Sequence, residues 1–287
     1  MRPFNLMELT KSIISCFSRL ESIRYSHSEL TPANWCEEQP CMKVKTPSRE
    51  IILTQPTSTF FVYLLGFLTI GAGIYFLAIR GSEISRLWWG ISLLLWGIGA
   101  LLAGTSYQAF AYEIKCAGRQ SCAWTSWWEV VYLMFQQMSM NAILVAVSYS
   151  CTTGSLQLVL KIYALVSSVV YVIVTLVGGI VPVKSFITFN LMVWVSTPIF
   201  LFVCILNSWR YHNLGTSMDL VLLGTWVLLL ITSAAYYIYD HLGITEKLWR
   251  RGTGIWFSQN DVLHIGLILW VIYIAKVVAQ QITDYAV

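Results

Sequence analysis

The sequence predicts an all-α, polytopic membrane protein: a bundle of seven transmembrane helices with an N-terminal interfacial segment. Of its 287 residues, 57% are hydrophobic and only 11% are charged, and the mean hydropathy of +0.66 is far above that of a soluble globular domain. Seven stretches contain the about 20 largely apolar residues that a helix needs to cross a bilayer. The loops between them are short, so we expect no soluble domain within the bundle.

The N-terminal segment, residues 1–56, lacks the apolar core and the cleavage site of a signal peptide. Its apolar residues recur at near-helical spacing, which is typical of a helix lying in the lipid head-group region and also of an ordinary packing helix. The apolar stripe consists of Phe4, Leu6, Leu9, Ile13, Phe17 and Leu20.

The bundle occupies residues 57–287. We expect its spans at 57–79, 85–110, 127–149, 156–178, 184–206, 217–239 and 258–280. Seven crossings place the two termini on opposite sides of the membrane. Lysine and arginine are more numerous on the side of the N-terminus, and the positive-inside rule therefore predicts a cytoplasmic N-terminus. The net charge of +4 indicates contact with anionic lipid head groups, and no pattern indicates nucleic acid.

Two cysteine pairs lie on the side predicted to be cytoplasmic. Cys36 and Cys41, and Cys116 and Cys122, are each close enough in sequence to form a small disulfide loop. Because the cytoplasm is reducing, we expect free thiols there, and a disulfide would contradict the predicted orientation.

Polar residues within the spans cluster near the same membrane face. Ionisable groups inside a membrane are costly and are therefore functional candidates. We expect a cavity that opens toward the N-terminal side, and we expect the opposite half to be nearly featureless, with Lys276 reaching the far interface. The expected cavity is lined by Ser106, Gln108, Asp240, Asn260 and His264.

Span 7 contains the most specific pattern. His264 lies four residues after Asn260 and three after Asp261, so all three side chains share one helix face. This spacing allows His264 and its neighbours to share one metal ion or one hydrogen-bond network. The alternative is that Asn260 and Asp261 cap the helix while His264 is a satisfied buried histidine.

Four stretches, in the same order, resemble the alkaline ceramidases and the related seven-span hydrolases. They are "NWCEE" at 34–38, "GIGALLAGTSYQAF" at 97–110, "YIYDH" at 237–241 and "QNDVLHI" at 259–265. The resemblance implies a seven-helix bundle that hydrolyses a lipid amide with a zinc ion. In that family, three histidines bind the zinc, a serine and an aspartate assist, and carboxylates of the N-terminal motif bind calcium in the eukaryotic members.

Residue by residue, the match is partial. Ser106 matches the serine of the family and His264 matches one zinc ligand, whereas Phe110 and Asn260 occupy the positions of the other two histidines. At the start of span 3, Glu129 is the carboxylate nearest to the expected aspartate position. In the N-terminal motif, Glu37 matches and Asn34 replaces the leading aspartate.

Two functions follow from this partial match. With two of three zinc ligands replaced, the chain is expected to be a non-catalytic protein that binds a lipid or pigment, or an accessory subunit of a larger membrane complex. The alternative is a lipid amide hydrolase, with Ser106 and His264 catalytic, that binds zinc or another divalent metal at a remodelled site. The expected partners are membrane lipids and other membrane subunits. The candidate metal ligands are His264, Asp261, His241 and Asp240, and the candidate pocket residues are Gln108, Phe110, Glu129 and Asn260.

Overall fold

A computed structural model describes residues 17–23, 30–47, 50–250 and 254–285 of the chain. Within these residues, seven helices are long and apolar enough to cross a membrane, so the predicted all-α, multi-pass fold class is confirmed. The spans, numbered 1 to 7, are Pro56–Ala78, Ile84–Ala109, Trp127–Cys151, Gly154–Ile180, Phe189–Leu214, Ser217–His241 and Gln259–Gln281.

The span boundaries agree with the sequence prediction to within a few residues, except in span 5. This span was expected to begin at residue 184 but begins at Phe189. Residues Lys184–Ile187 form a separate 3₁₀ turn, and the Thr188 side chain accepts a hydrogen bond from the Leu191 N–H. Thr188 is therefore the N-cap that sets the start of span 5.

Short elements join or cover the ends of the spans. Strand β1 (Cys41–Lys45) pairs antiparallel with β2 (Glu50–Thr54), so that Met42 lies opposite Leu53. The remaining short elements are the 3₁₀ turn Arg19–Ser22 and the helices Trp35–Glu38, Ala111–Lys115 and Ile244–Arg250.

The β1–β2 hairpin is hydrogen-bonded to the end of span 2 and to the short helix that follows it. The Thr54 hydroxyl donates to the Gln108 carbonyl, and the Ile52 N–H donates to the Glu113 carboxylate at 3.1 Å. Most of the predicted amphipathic stripe lies outside the described residues. Of its members that are described, Leu20 is fully buried and Phe17 is exposed.

Two disulfides brace this N-terminal face, so the prediction of free thiols is wrong. Cys36 is bonded to Cys41, next to the start of β1, and Cys116 is bonded to Cys122 in the loop between spans 2 and 3. The prediction failed because it was derived from the orientation that the lysine and arginine count suggested.

Spans 1 and 2 approach each other closely at glycines. A Cβ added at Gly97 would lie 2.8 Å from the Gly66 carbonyl oxygen, and one added at Gly73 would lie 3.0 Å from the Gly90 carbonyl oxygen. Small residues at such positions let two membrane helices pack backbone against backbone. The pairing of spans 1 and 2 therefore depends on these four glycines.

Span 3 is the central helix, and span 5 is the most peripheral. Most of span 3 is buried inside the protein, whereas little of span 5 is buried. The polar residues of span 3 bond to its neighbours: Ser139 pairs with Ser92 of span 2, Asn141 donates to Ser168 of span 4, and Gln137 accepts from Ser196 of span 5. Span 3 thus connects three helices through polar contacts inside the bilayer.

We predict that Gly97→Ala destabilises the protein by about 1 to 3 kcal/mol, because the new methyl group meets backbone that cannot move aside. Gly71→Ala on span 1 is the matched control, since no atom lies within 4 Å of its added Cβ. Thermal unfolding of the detergent-solubilised variants measures the difference. Equal stabilities of the two variants would contradict the glycine-dependent packing.

Candidate functional site

A cavity of about 440 Å³ lies in the bundle between spans 1, 2, 3, 5, 6 and 7. Its wall is mainly aliphatic and aromatic, and its volume falls within the range of about 300 to 1,000 Å³ that is usual for small-molecule sites. The polar members of the lining are Tyr132, Gln136, Ser196, Thr197, Ser233 and His264.

The cavity opens sideways, toward the lipid. Leu201 of span 5 and Leu230 of span 6 both line it, and 52% and 56% of their surface is exposed. Such exposed lining residues indicate that the cavity is partly open at spans 5 and 6. A lipid chain could therefore enter between spans 5 and 6 without passing through water.

His264 lines this cavity, whereas the sequence predicted a cavity that opens toward the N-terminal side and is also lined by four other residues. The side chain is 8% exposed, and its Nδ1 atom has no hydrogen-bond partner among the described residues. Of the unpartnered buried polar atoms in those residues, it is the one whose side chain lines this larger cavity. Because Nδ1 lacks a partner, His264 is not the fully hydrogen-bonded buried histidine of the alternative interpretation, and its side chain contributes to the cavity wall.

Asp261 has a different role, as the cap of span 7. Its Oδ2 atom accepts hydrogen bonds from the Ser258 N–H at 2.6 Å and from the Ser258 hydroxyl at 3.0 Å, and the Asp261 N–H returns a bond to Ser258. This reciprocal pair is a capping box. Ser58 of span 1 lies 3.3 Å from the Ser258 hydroxyl, so the cap also contacts span 1. The capping alternative therefore holds for Asp261.

Ser106 lies in a buried polar cluster rather than in the cavity lining. It is carried by the π-helix Gly104–Ala109 at the end of span 2 and donates to Glu129 Oε1 at 2.8 Å. Its only proton is committed to Glu129, so the Ser126 hydroxyl, 2.6 Å away, must donate to Ser106. Lys115 forms an ion pair with Glu129 at 2.5 Å, and both side chains are almost fully buried. The Ser106 hydroxyl is thus held by structural contacts.

Gln108 and Phe110 flank this cluster. Gln108 is buried, its side-chain oxygen has no partner among the described residues, and its carbonyl accepts from Thr54. Phe110 is half-buried at the C-cap of the π-helix. Of the residues predicted to line one cavity, Ser106, Gln108, Phe110 and Glu129 line neither of the two cavities described here.

Asp240 and Asn260 line a second, smaller cavity of about 210 Å³ at the N-terminal face. Its remaining lining residues are mostly polar and come from the start of span 1 and from the segment between spans 6 and 7. His241 is exposed in the last turn of span 6. The predicted cavity residues are therefore divided between two cavities and a buried cluster.

The predicted metal ligands do not form one group. His264 lines the larger cavity, Asp240 lines the smaller one, Asp261 caps span 7 and His241 is exposed. Among the described residues, no three His, Cys, Asp or Glu side chains lie close enough together to hold a metal ion. A catalytic zinc site normally needs three protein ligands, so this donor set does not fit a zinc ion.

The opposite half of the bundle is not featureless, contrary to expectation. Arg210 of span 5 and Asp219 of span 6 form a buried ion pair, with Nε 3.0 Å from Oδ1. Asn207 donates to the same carboxylate at 2.9 Å and accepts from the Trp226 ring N–H. Arg210 also donates to the Cys151 carbonyl at the end of span 3. This cluster joins spans 3, 5 and 6 at the end distant from the N-terminus.

Lys276 is exposed on span 7 and lines neither cavity. A pigment bound covalently to this lysine is therefore not favoured by its position. The exposed position agrees with the expectation that Lys276 reaches the far interface.

Comparison of the chain with protein-family models, with curated proteins and with solved structures gave no match. The likeness to the alkaline ceramidases therefore rests on the four sequence motifs alone, and it stays a prediction.

We predict that Asp219→Asn lowers the free energy of unfolding by about 3 to 5 kcal/mol, because Arg210 is left as an uncompensated buried charge. Glu50→Gln is the control, since Glu50 and its partner Lys43 are well exposed, and an exposed pair contributes at most about 1 kcal/mol. Chemical unfolding in detergent measures both variants. A loss in Asp219→Asn no larger than that in the control would show that the pair does not clamp the spans.

Proposed function

We propose that this integral membrane protein is a non-catalytic lipid-binding protein that holds one acyl chain in the larger cavity. The observation that carries the proposal is the cavity itself: it is lined by six spans, has a mainly apolar wall and includes His264, whose Nδ1 atom has no partner among the described residues. A cavity walled by apolar side chains favours an apolar occupant, since water would lack hydrogen-bond partners along most of the surface.

The size and the opening of the cavity suit a single chain. At about 30 Å³ for each water-sized group, the volume holds roughly fifteen such groups, which is less than a two-chain lipid requires. A chain that exceeds this length would pass between Leu201 and Leu230 into the surrounding hydrocarbon. The ligand therefore need not leave the bilayer to bind.

The hydrolase alternative draws no support from the positions of its two catalytic candidates. His264 lies in the cavity, whereas Ser106 lies outside its lining and is bonded to Ser126 and Glu129. A nucleophile or general base must lie within hydrogen-bond reach of the reacting atoms. The accessory-subunit role stays a prediction from the sequence and is compatible with lipid binding.

We predict that Ser233→Phe prevents chain binding, because a phenyl ring at this position would fill part of the cavity. Ala234→Phe is the matched control, since Ala234 is the next residue on span 6 and is exposed toward the lipid. The readout is quenching of the cavity residue Trp96 by a brominated acyl chain, with Trp96→Phe as the reference for the other tryptophans. Equal quenching in the two phenylalanine variants would contradict chain binding in this cavity.

We further propose that the N-terminal face lies in an oxidising compartment, opposite to the orientation that the charge count predicted. Both disulfides lie at this face, and disulfides persist in oxidising compartments. Two of the basic residues counted there are also engaged within the protein: Lys115 is buried against Glu129, and Arg119 bonds to Glu21. Such residues contribute less to membrane orientation than freely exposed lysines and arginines would.

Cysteine labelling tests the orientation. Ser185→Cys places an exposed thiol at the N-terminal face, and Ser82→Cys places one in the exposed turn between spans 1 and 2 at the other face. In intact cells or in sealed vesicles of known sidedness, a membrane-impermeant maleimide applied from the oxidising side should label the first variant and spare the second. The reverse pattern would restore the orientation predicted by the charge count.

A further inference from the structure

The chemistry of the larger cavity narrows the class of lipid, provided that lipid binding itself is correct. None of the described residues that line the cavity is Asp, Glu, Lys or Arg. A charged group in such surroundings would lose its hydration and find no fixed counter-charge, which is costly. The lining thus opposes carboxylate, phosphate and ammonium head groups.

His264 is the lining residue that could offer a positive charge by accepting a proton. It lies five residues after the start of span 7, about 8 Å along the helix at 1.5 Å per residue. The lining residues before and after it on this helix are Leu263 and Leu267, which provide no compensation for an imidazolium. We therefore treat the ring as an uncharged hydrogen-bonding group.

The serine and threonine hydroxyl groups of the lining have already used their protons. Ser196 donates to the Gln137 side chain at 2.7 Å, Thr197 donates to the Val193 carbonyl at 2.7 Å, and Ser233 donates to the Leu229 carbonyl at 2.9 Å. Each oxygen therefore offers only lone pairs to the cavity. A ligand that satisfies them must bring O–H or N–H donors, which a carboxylate lacks.

The polar groups also share one depth. Ser196 lies seven residues from the start of span 5 and Ser233 eight residues from the end of span 6, or about 10 to 12 Å from the N-terminal ends of the helices. Trp96 and Met140 each lie thirteen residues from those ends, about 20 Å away. The polar end of a ligand would therefore lie nearer the N-terminal face, with its chain directed toward the bilayer midplane.

We propose that the cavity selects a single-chain lipid whose polar group is uncharged and donates hydrogen bonds, such as the hydroxyl groups of a monoacylglycerol or of a long-chain alcohol. The His264 imidazole and the Gln136 amide are the anchors for that group. An anionic or zwitterionic lipid with the same chain binds more weakly, because its charge gains no partner in the lining.

The test compares three probes with the same palmitoyl chain: monopalmitoylglycerol, palmitate and palmitoyl lysophosphatidylcholine. The delipidated full-length protein is incubated with an equimolar mixture, repurified and extracted, and the retained lipids are quantified by mass spectrometry. We expect retention of monopalmitoylglycerol to exceed that of either charged probe by about tenfold or more, because burying an unpaired charge costs more than one hydrogen bond returns. Palmitate retained as well as or better than monopalmitoylglycerol would overturn the proposal.

Two substitutions at His264 separate a hydrogen bond from an ion pair. His264→Gln keeps a donor and an acceptor but cannot become charged, whereas His264→Leu removes both. We expect His264→Gln to retain monopalmitoylglycerol and His264→Leu to lose about fivefold to tenfold, the range for one lost hydrogen bond. Equal losses in both variants would overturn the proposed uncharged contact. If the wild-type protein and Ser233→Phe both retain no probe, lipid binding itself fails, an outcome distinct from the wrong choice of lipid.

Discussion

The hydrocarbon core of a membrane supplies no hydrogen bonds, so each polar group within the spans needs a partner inside the protein. This constraint explains why the polar span 3 is central: Gln137, Ser139 and Asn141 bond to spans 5, 2 and 4, respectively. The same constraint makes His264 a candidate ligand-binding residue, because its Nδ1 atom lacks a partner among the described residues and its side chain lines a cavity large enough for a ligand. Among the described residues, His264 is the one whose unpartnered buried atom belongs to a side chain of the larger cavity.

Charge is confined to the two ends of the bundle. Near the N-terminal face, Lys115 pairs with Glu129, and at the other end Arg210 pairs with Asp219. Both pairs are buried. An isolated ion in a low-dielectric interior is costly, so each buried charge needs a partner of opposite sign. The cavity between them is left without charged lining residues. Its preference for an uncharged occupant thus follows from where the bundle places its ion pairs.

The features predicted correctly from the sequence are those that depend on residues close together along the chain. Span positions follow from the hydropathy of each stretch, and the shared face of Asp261 and His264 follows from their spacing. Spacing alone could not separate a metal site from a capping box, because the residue three positions after a cap occupies the same face. The Arg210–Asp219 pair could have been predicted, because the sequence places opposite charges near the ends of two spans that are joined by a tight turn. The cavity left no such signal, since it arises from residues of six spans.

An experimental density map of the protein in lipid nanodiscs would test the central claim most directly. The account predicts elongated density inside the larger cavity, with its polar end beside His264 and Gln136 and its chain running past Trp96 toward the gap between Leu201 and Leu230. A cavity filled by ordered water alone, or closed by the inward movement of spans 5 and 6, would contradict it.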